Sequence, residues 1–263
     1  MSFIQALILG IVQGFTEFLP VSSSGHLALV QSLFADFEQP GLLYDTLLHM
    51  ATLLAVLVFF RDRIRRLFLA LFGLVIHRYK VYYYEEKRLL WGIVIATIPT
   101  GIIGYLLSDL SESFFEKPAV VGYFLILTSI LLFISDRFKG HEGVTPAKAL
   151  FVGIIQGLAV FPGISRSGST IFAGLLMGIS RERAAEFSFL ISIPAILGAA
   201  VLQIPHIGGV AASDWVVYII GMIAAFLCGV FAIGVMMSLV KKARLEIFAL
   251  YCLIVGIAAA IWM

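Results

Sequence analysis

Charge is what this sequence has least of. Asp, Glu, Lys and Arg make up 13% of its 263 residues, and hydrophobic residues 61%, whereas a soluble domain carries ~25% and ~45–50%. At a mean hydropathy of +1.04 there is too little polar surface to cover a globule in water, and disorder and fibrous repeats are excluded on the same ground. Cysteine is nearly missing. Cys228 and Cys252 lie in apolar runs at no metal-ligand spacing and read as core thiols, so they report no redox compartment. An excess of one charge sign is missing too: the net charge of +2 gives no ground for a nucleic-acid partner, and none is expected. The apolar run Phe3 to Val12 has no basic stretch before it, so a cleaved signal peptide is not expected. What remains is a chain whose solvent is the bilayer, long enough for about six to eight helical spans.

Apolar runs long enough to cross appear at about 43–60, 89–107, 118–134, 183–203, 215–239 and 245–262. The connections separate by charge. The segment 61–88 carries Arg61, Arg63, Arg65, Arg66, Arg78, Lys80, Lys87 and Arg88, and the tyrosines 79, 82, 83 and 84 make it an amphipathic surface segment. Further cations cluster at Arg137, Lys139 and Lys148, at Arg181 and Arg183, and at Lys241, Lys242 and Arg244. By contrast, 108–117 has Asp109, Glu112 and Glu116 against Lys117, and 204–214 has no Lys or Arg. Basic loops stay in the cytoplasm, which puts 108–117, 204–214 and both termini outside.

Two segments, 1–36 and 149–180, break the pattern. Each is an apolar arm, a Pro/Gly/Ser turn and a second arm (about 26–35 and 169–178) too short to cross, so both read as re-entrant hairpins. They are also copies of each other. A shift of 143 lays Gly10 on Gly153, Gln13 on Gln156, Gly14 on Gly157, Phe18 on Phe161, Ser22 on Ser165, Ser24 on Ser167 and Gly25 on Gly168, without a gap. The expected fold is an all-α polytopic membrane protein, one integral membrane domain over 1–263. Its repeat halves, 1–134 and 149–263, each hold a hairpin and three transmembrane helices. Three crossings are odd, so the second half is inverted, and the two turns can meet near the midplane.

The chemistry lies in those turns. Glu17 sits inside an apolar arm, where an acid costs ~2.5–3.5 kcal/mol on the insertion scale and is a functional candidate by default. Gln13, four residues earlier, shares its helical face, so the pair can offer oxygens to a hard cation. The turn from Pro20 to His26 holds Ser22, Ser23, Ser24, Gly25 and His26; capping accounts for one serine, and neither the others nor the histidine. The second turn, Phe161 to Thr170, holds Ser165, Arg166, Ser167, Gly168, Ser169 and Thr170 at a helix start, the arrangement of an anion site with a planar guanidinium fork. Where the copies diverge, Glu17 faces Val160, Ser23 faces Arg166 and His26 faces Ser169: one hairpin holds the acid and base groups, the other the clamp. Asp45, His49 and Glu186 read equally as supporting groups or as packing.

QGFTEFLPVSSSGH from Gln13 to His26 and PGISRSGST from Pro162 to Thr170, with SRERAAEFSFLISIP from Ser180 to Pro194, resemble the undecaprenyl-diphosphate phosphatase family, also called the bacitracin-resistance protein family. The likeness runs through the whole chain. It implies an enzyme of the bacterial inner membrane that hydrolyses undecaprenyl diphosphate to the monophosphate with a divalent cation at an outward-facing site, recycling the cell-wall lipid carrier. On matching motif positions it makes Glu17, Ser23, His26 and Arg166 the functional residues, with Ser165 and Thr170 in the phosphate clamp. Gln13 stands where the family often has Glu.

The combined expectation is a diphosphate held between the turns. Glu17, Ser23, His26 and Arg166 are catalytic, Ser22, Ser165, Ser167, Gly168 and Thr170 bind substrate, and Glu17 with Gln13 holds Mg²⁺ or Ca²⁺. Ser23 is the candidate nucleophile and His26 its base, three residues away on one helical face; His26 itself, or a metal-bound water, are rival nucleophiles. A transporter or flippase of an anionic lipid is the rival function, since inverted repeats with broken helices suit transport as well. The partners are the polyprenyl lipid and the surrounding membrane, and a homodimer is left open.

Overall fold

The computed structural model describes residues 1–34, 42–203 and 214–263. The helices are α1 (Phe3–Phe18), α2 (Ser23–Ser32), α3 (Leu42–Phe59), α4 (Arg61–Phe72), α5 (Lys80–Leu106), α6 (Ser108–Phe115), α7 (Pro118–Ser135), α8 (Pro146–Leu158), α9 (Arg166–Leu176), α10 (Arg181–Gln203), α11 (Asp214–Lys241) and α12 (Glu246–Trp262). Among the described residues, strand pairing is limited to one isolated bridge, Glu142 with Ile179. The fold is an all-helical multi-pass membrane protein. The end of the first expected hairpin, 35–36, and most of the expected outer loop 204–214 lie outside the described residues.

Local sequence sets the boundaries. Ser2 and Gln5 form a reciprocal capping box on α1, and Pro118 and Pro146 stand in the first turns of α7 and α8, where a missing N–H costs nothing. Four helical stretches are long and apolar enough to cross: His77–Leu106, Pro118–Ser135, Arg181–Leu202 and Asp214–Lys241. A fifth arises if α3 and α4, bent 83° at Phe60, count as one span. Of the six expected crossings α12 is the shortest, its 17 residues standing at the lower end of the ~17–25 that a crossing needs. The basic tract 61–88 is not a loop. Arg61–Phe72 and the first turns of α5 are helical, because an amphipathic sequence keeps its helix as it leaves the apolar core. The second hairpin arms are 10 and 11 residues, ~15–17 Å at 1.5 Å per residue and half of a ~30 Å hydrocarbon core.

Small residues bring the helices together. Gly10 of α1 meets the main chain of Gly221, and Gly14 meets Ala225 and Cys228, so α1 runs parallel to α11. Gly153 of α8 likewise meets Ala96, and Gly157 meets Pro99 and Ile103, so α8 runs parallel to α5. Gly122 meets Ala260 while Ile126 meets Gly256, so α7 and α12 are antiparallel. Without a hydrophobic drive between helices in lipid, close backbone approach supplies the attraction. The outer faces carry Ile98, Ile102, Phe133, Leu227, Phe231 and Ile254, all exposed, and polar side chains are buried inside. Cys228 and Cys252 are unpaired thiols, as expected.

Candidate active site

Each hairpin turn ends in a serine-capped helix. Ser22, at φ 69°, caps α2, its Oγ accepting from Gly25 N–H at 3.3 Å; Ser165 caps α9 by accepting from Gly168 N–H at 3.0 Å. The turns touch. Ser22 Oγ also accepts from Gly163 N–H at 3.0 Å, and a Cβ on Gly25 would lie 2.7 Å from that same nitrogen. Gly163 itself has φ +100°, a conformation open to glycine. Thr128 of α7 braces the second turn, donating to Gly163 O at 2.8 Å and accepting from Ser165 N–H at 2.9 Å.

These contacts bring the two helix starts together around Glu17, which is 5% exposed. Its Oε1 accepts from Arg166 Nη2 in an ion pair that joins the hairpins. Its Oε2 accepts from Ser23 Oγ at 2.6 Å and Gln13 Nε2 at 3.0 Å, and lies 3.4 Å from His49 Nε2. The second nitrogen of Arg166, Nη1, is buried and unpartnered in the protein, as is Gln13 Oε1. The N–H groups of Arg166 and Ser167 open α9, where no intrahelical carbonyl reaches them. The result is a carboxylate with a hydroxyl against it, facing a guanidinium with a spare fork at a helix N-terminus. Such a set can hold an anion and take a proton from the hydroxyl beside it.

Residues 6–258 match the family model described as bacitracin resistance protein BacA. The chain belongs to that family. Among its relatives, a protein of Methanosphaera stadtmanae named "Undecaprenyl-diphosphatase" is 44% identical over 270 residues, 98% of this chain and 97% of that protein. Proteins of the same name from Treponema denticola and Halothermothrix orenii are 42% and 39% identical, covering 100% and 98% of this chain and 98% and 96% of their own lengths.

Within this BacA fold the expected residues do not all stand as foreseen. His26 and Ser23 are not hydrogen-bonded to each other. Nδ1 of His26 is 2.8 Å from Ser22 O and Nε2 is 2.9 Å from the hydroxyl of Tyr251, while Ser23 turns to Glu17. The cause is the helix start: a side chain at the fourth position of α2 folds back onto the capping carbonyl, and Ser23, at the first, points across to α1. The hydroxyls expected to clamp phosphate are also turned inward. Thr170 donates to Arg166 O at 2.9 Å and meets Ser188 Oγ at 2.6 Å, tying α9 to α10. Ser167 Oγ lies 3.3 Å from Ser165 Oγ, and Gly168 N–H is held by the cap. The groups left for an anion are Arg166 and the first N–H groups of α9.

Of the residues read as ambiguous, His49 belongs to the Glu17 cluster, and Asp45 accepts from Gln31 at 2.8 Å one turn away on α3. Glu186 is elsewhere, with Arg63 and Glu86 at the basic end. Thr128 and Tyr251 were not foreseen, since a threonine and a tyrosine in apolar spans look like packing.

For a cation, the candidate oxygens are Gln13 Oε1, buried and unpartnered, and the carboxylate of Glu17. Among the described residues no group of three or more His, Cys, Asp or Glu is arranged to hold a metal. Glu17 already accepts from Arg166, Ser23 and Gln13, so a cation bound here would have to complete its shell with phosphate oxygens and water, as Mg²⁺ commonly does.

Proposed function

We propose that this chain is an integral membrane phosphatase that hydrolyses undecaprenyl diphosphate to undecaprenyl phosphate and phosphate. The observation that carries the reading is the convergence of Ser23, Glu17 and Arg166 from two turns on one buried point. It agrees with the name of the relatives that match this chain end to end.

Ser23 Oγ attacks the terminal phosphorus, and its proton passes to Glu17 Oε2, already its acceptor at 2.6 Å. The bond from that phosphorus to the bridging oxygen breaks, its electron pair leaving with undecaprenyl phosphate. Arg166 Nη1 and the first N–H groups of α9 take the charge that develops on the phosphoryl oxygens. Water then attacks the phosphoserine, giving a proton to His26. The bond from phosphorus to Ser23 Oγ breaks, and Ser23 recovers its proton from Glu17. Phosphate leaves, taking the proton back from His26. His26, one helical turn from Ser23, is the acid–base group assigned to this second step, with Nε2 as its working nitrogen because Nδ1 must be N–H to face the Ser22 carbonyl. Mg²⁺ or Ca²⁺ would be held by Glu17 and Gln13 Oε1 together with the diphosphate. When bound, it supplies positive charge against the phosphate oxygens.

The halves 1–134 and 149–263 are read as inverted copies whose hairpins are re-entrant. The matched pairings α1 with α11 and α8 with α5, and the antiparallel contact of α7 with α12, support this. The acidic 108–117 connection supports a site open to the outer face of a bacterial inner membrane. There the reaction returns the cell-wall lipid carrier and confers bacitracin resistance. All the groups used come from one chain, so the reading does not depend on a homodimer.

The test is phosphate release from undecaprenyl diphosphate by purified protein in detergent, with Mg²⁺ or Ca²⁺ and then with a chelator. Release that the chelator stops is the expected result. Protein that binds or moves the lipid across a vesicle without releasing phosphate would be a transporter.

A further inference from the structure

Tyr251 comes from α12, 225 positions away from His26, and nothing in the two motifs points to it. Its hydroxyl is 2.9 Å from His26 Nε2, and the two rings lie 10° apart with centroids 5.5 Å from each other. His26 is 7% exposed and Tyr251 43% exposed, so Tyr251 reaches the molecular surface where His26 does not.

The tautomer follows from the partners. A carbonyl only accepts, so Nδ1 facing Ser22 O carries a hydrogen, and in the neutral ring Nε2 is a lone pair that accepts from the Tyr251 O–H. Nε2 has a single in-plane hydrogen-bonding direction and Tyr251 fills it, so a proton reaching or leaving Nε2 passes through that hydroxyl. A main-chain carbonyl would suit only the protonated ring, and a main-chain N–H only the neutral one. A hydroxyl both donates and accepts, so it serves each state without the ring having to turn.

We propose that Tyr251 is the proton relay of His26: its hydroxyl fills the one hydrogen-bonding direction of Nε2, and gives its proton to the imidazole as it takes one from the reacting water, or the reverse. This rests on the reading of His26 as the acid–base group. Three variants test it: Tyr251→Phe, His26→Ala and the two combined. They are assayed with undecaprenyl diphosphate and Mg²⁺ in detergent, and ¹⁵N NMR follows histidine-labelled protein with His26→Ala assigning the resonance. Tyr251→Phe keeps the ring and loses the hydroxyl. The expected result is kcat down about tenfold, which is ~1.4 kcal/mol of barrier, with kcat/KM unchanged and the His26 Nε2 resonance moved downfield as its lone pair is freed. In the His26→Ala background the same change should have no further effect. If His26→Ala is inactive while Tyr251→Phe leaves kcat and the resonance as in the parent, the Tyr251 proposal falls alone. If His26→Ala keeps full activity, the reading of His26 falls, and the resonance still reports whether Tyr251 holds the ring.

Discussion

The two hairpin turns start from one plan. Ser22 and Ser165 both cap a short helix by accepting from a glycine three residues on, and both follow an arm with Gln and Gly at matched positions. Yet the first turn carries an acid, a hydroxyl and an imidazole, and the second a guanidinium. Gln13 shows what the divergence does. In the first copy its amide donates to Glu17; in the second, where Val160 replaces the acid, Gln156 donates to Thr100 Oγ1 at 3.2 Å. The residues that stayed alike build the turns, and those that diverged carry the chemistry. Support is unequal too: Thr128 braces the second turn, and the second turn braces the first through Gly163.

That comparison can be broken from its strongest contact downward. Glu17→Gln removes the base beside Ser23 and the charge facing Arg166, so phosphate release should fall by about 10³-fold or more. Breaking a buried pair from one side costs ~3–5 kcal/mol, which solvent reduces for a partly exposed Arg166. Adding Arg166→Gln to Glu17→Gln should therefore raise the melting temperature back toward the parent without restoring turnover. A double variant no more stable than the single would show that the ion pair does not join the turns.

Next, Arg166→Lys should fail to rescue Arg166→Ala, with both losing about 10²-fold in kcat, because a point charge cannot hold Glu17 with one nitrogen and phosphate with the other. Near-parent turnover by the lysine variant would reduce Arg166 to a counter-ion. Third, Ser23→Ala should lower kcat/KM, while His26→Ala lowers kcat alone. The double variant should be no worse than Ser23→Ala, because His26 acts only on the phosphoserine that Ser23 forms and shares no hydrogen bond with it. An equal loss of kcat/KM in His26→Ala and Ser23→Ala would restore the direct serine–histidine pair, with His26 as the base of the first step. Smallest, Thr128→Val should loosen only the second turn, lowering stability by ~1–3 kcal/mol as two buried main-chain groups lose their partner. Unfolding in a mild denaturant series reads this out, and an unchanged midpoint would remove Thr128 as the brace.

Much of the fold was legible in the sequence because a bilayer leaves few choices. The run 118–134 became Pro118–Ser135, and 183–203 became Arg181–Gln203. Hydropathy failed where a helix outlasts its apolar stretch: α5 begins at Lys80, nine residues before the run that marked it, since charged residues end the apolar signal without ending the helix. The site was legible as far as the repeat could show it. Divergence between copies picked out Glu17, Ser23, His26 and Arg166, but spacing along one helix put Ser23 beside His26, when the first residue of α2 reaches across to α1 instead.

The sequence by itself determined that the chain lives in lipid, where its helices lie, and which side chains are too costly there to be ornamental. These follow from transfer energies and local backbone preferences, which act on each segment alone. Only the tertiary structure decided the pairings: Arg166 with Glu17 across 149 residues, His26 with Tyr251 across 225, and His49 at the acid. A hydrogen bond between distant segments is set by how glycine-lined helices seat against one another, and no spacing along the chain records that.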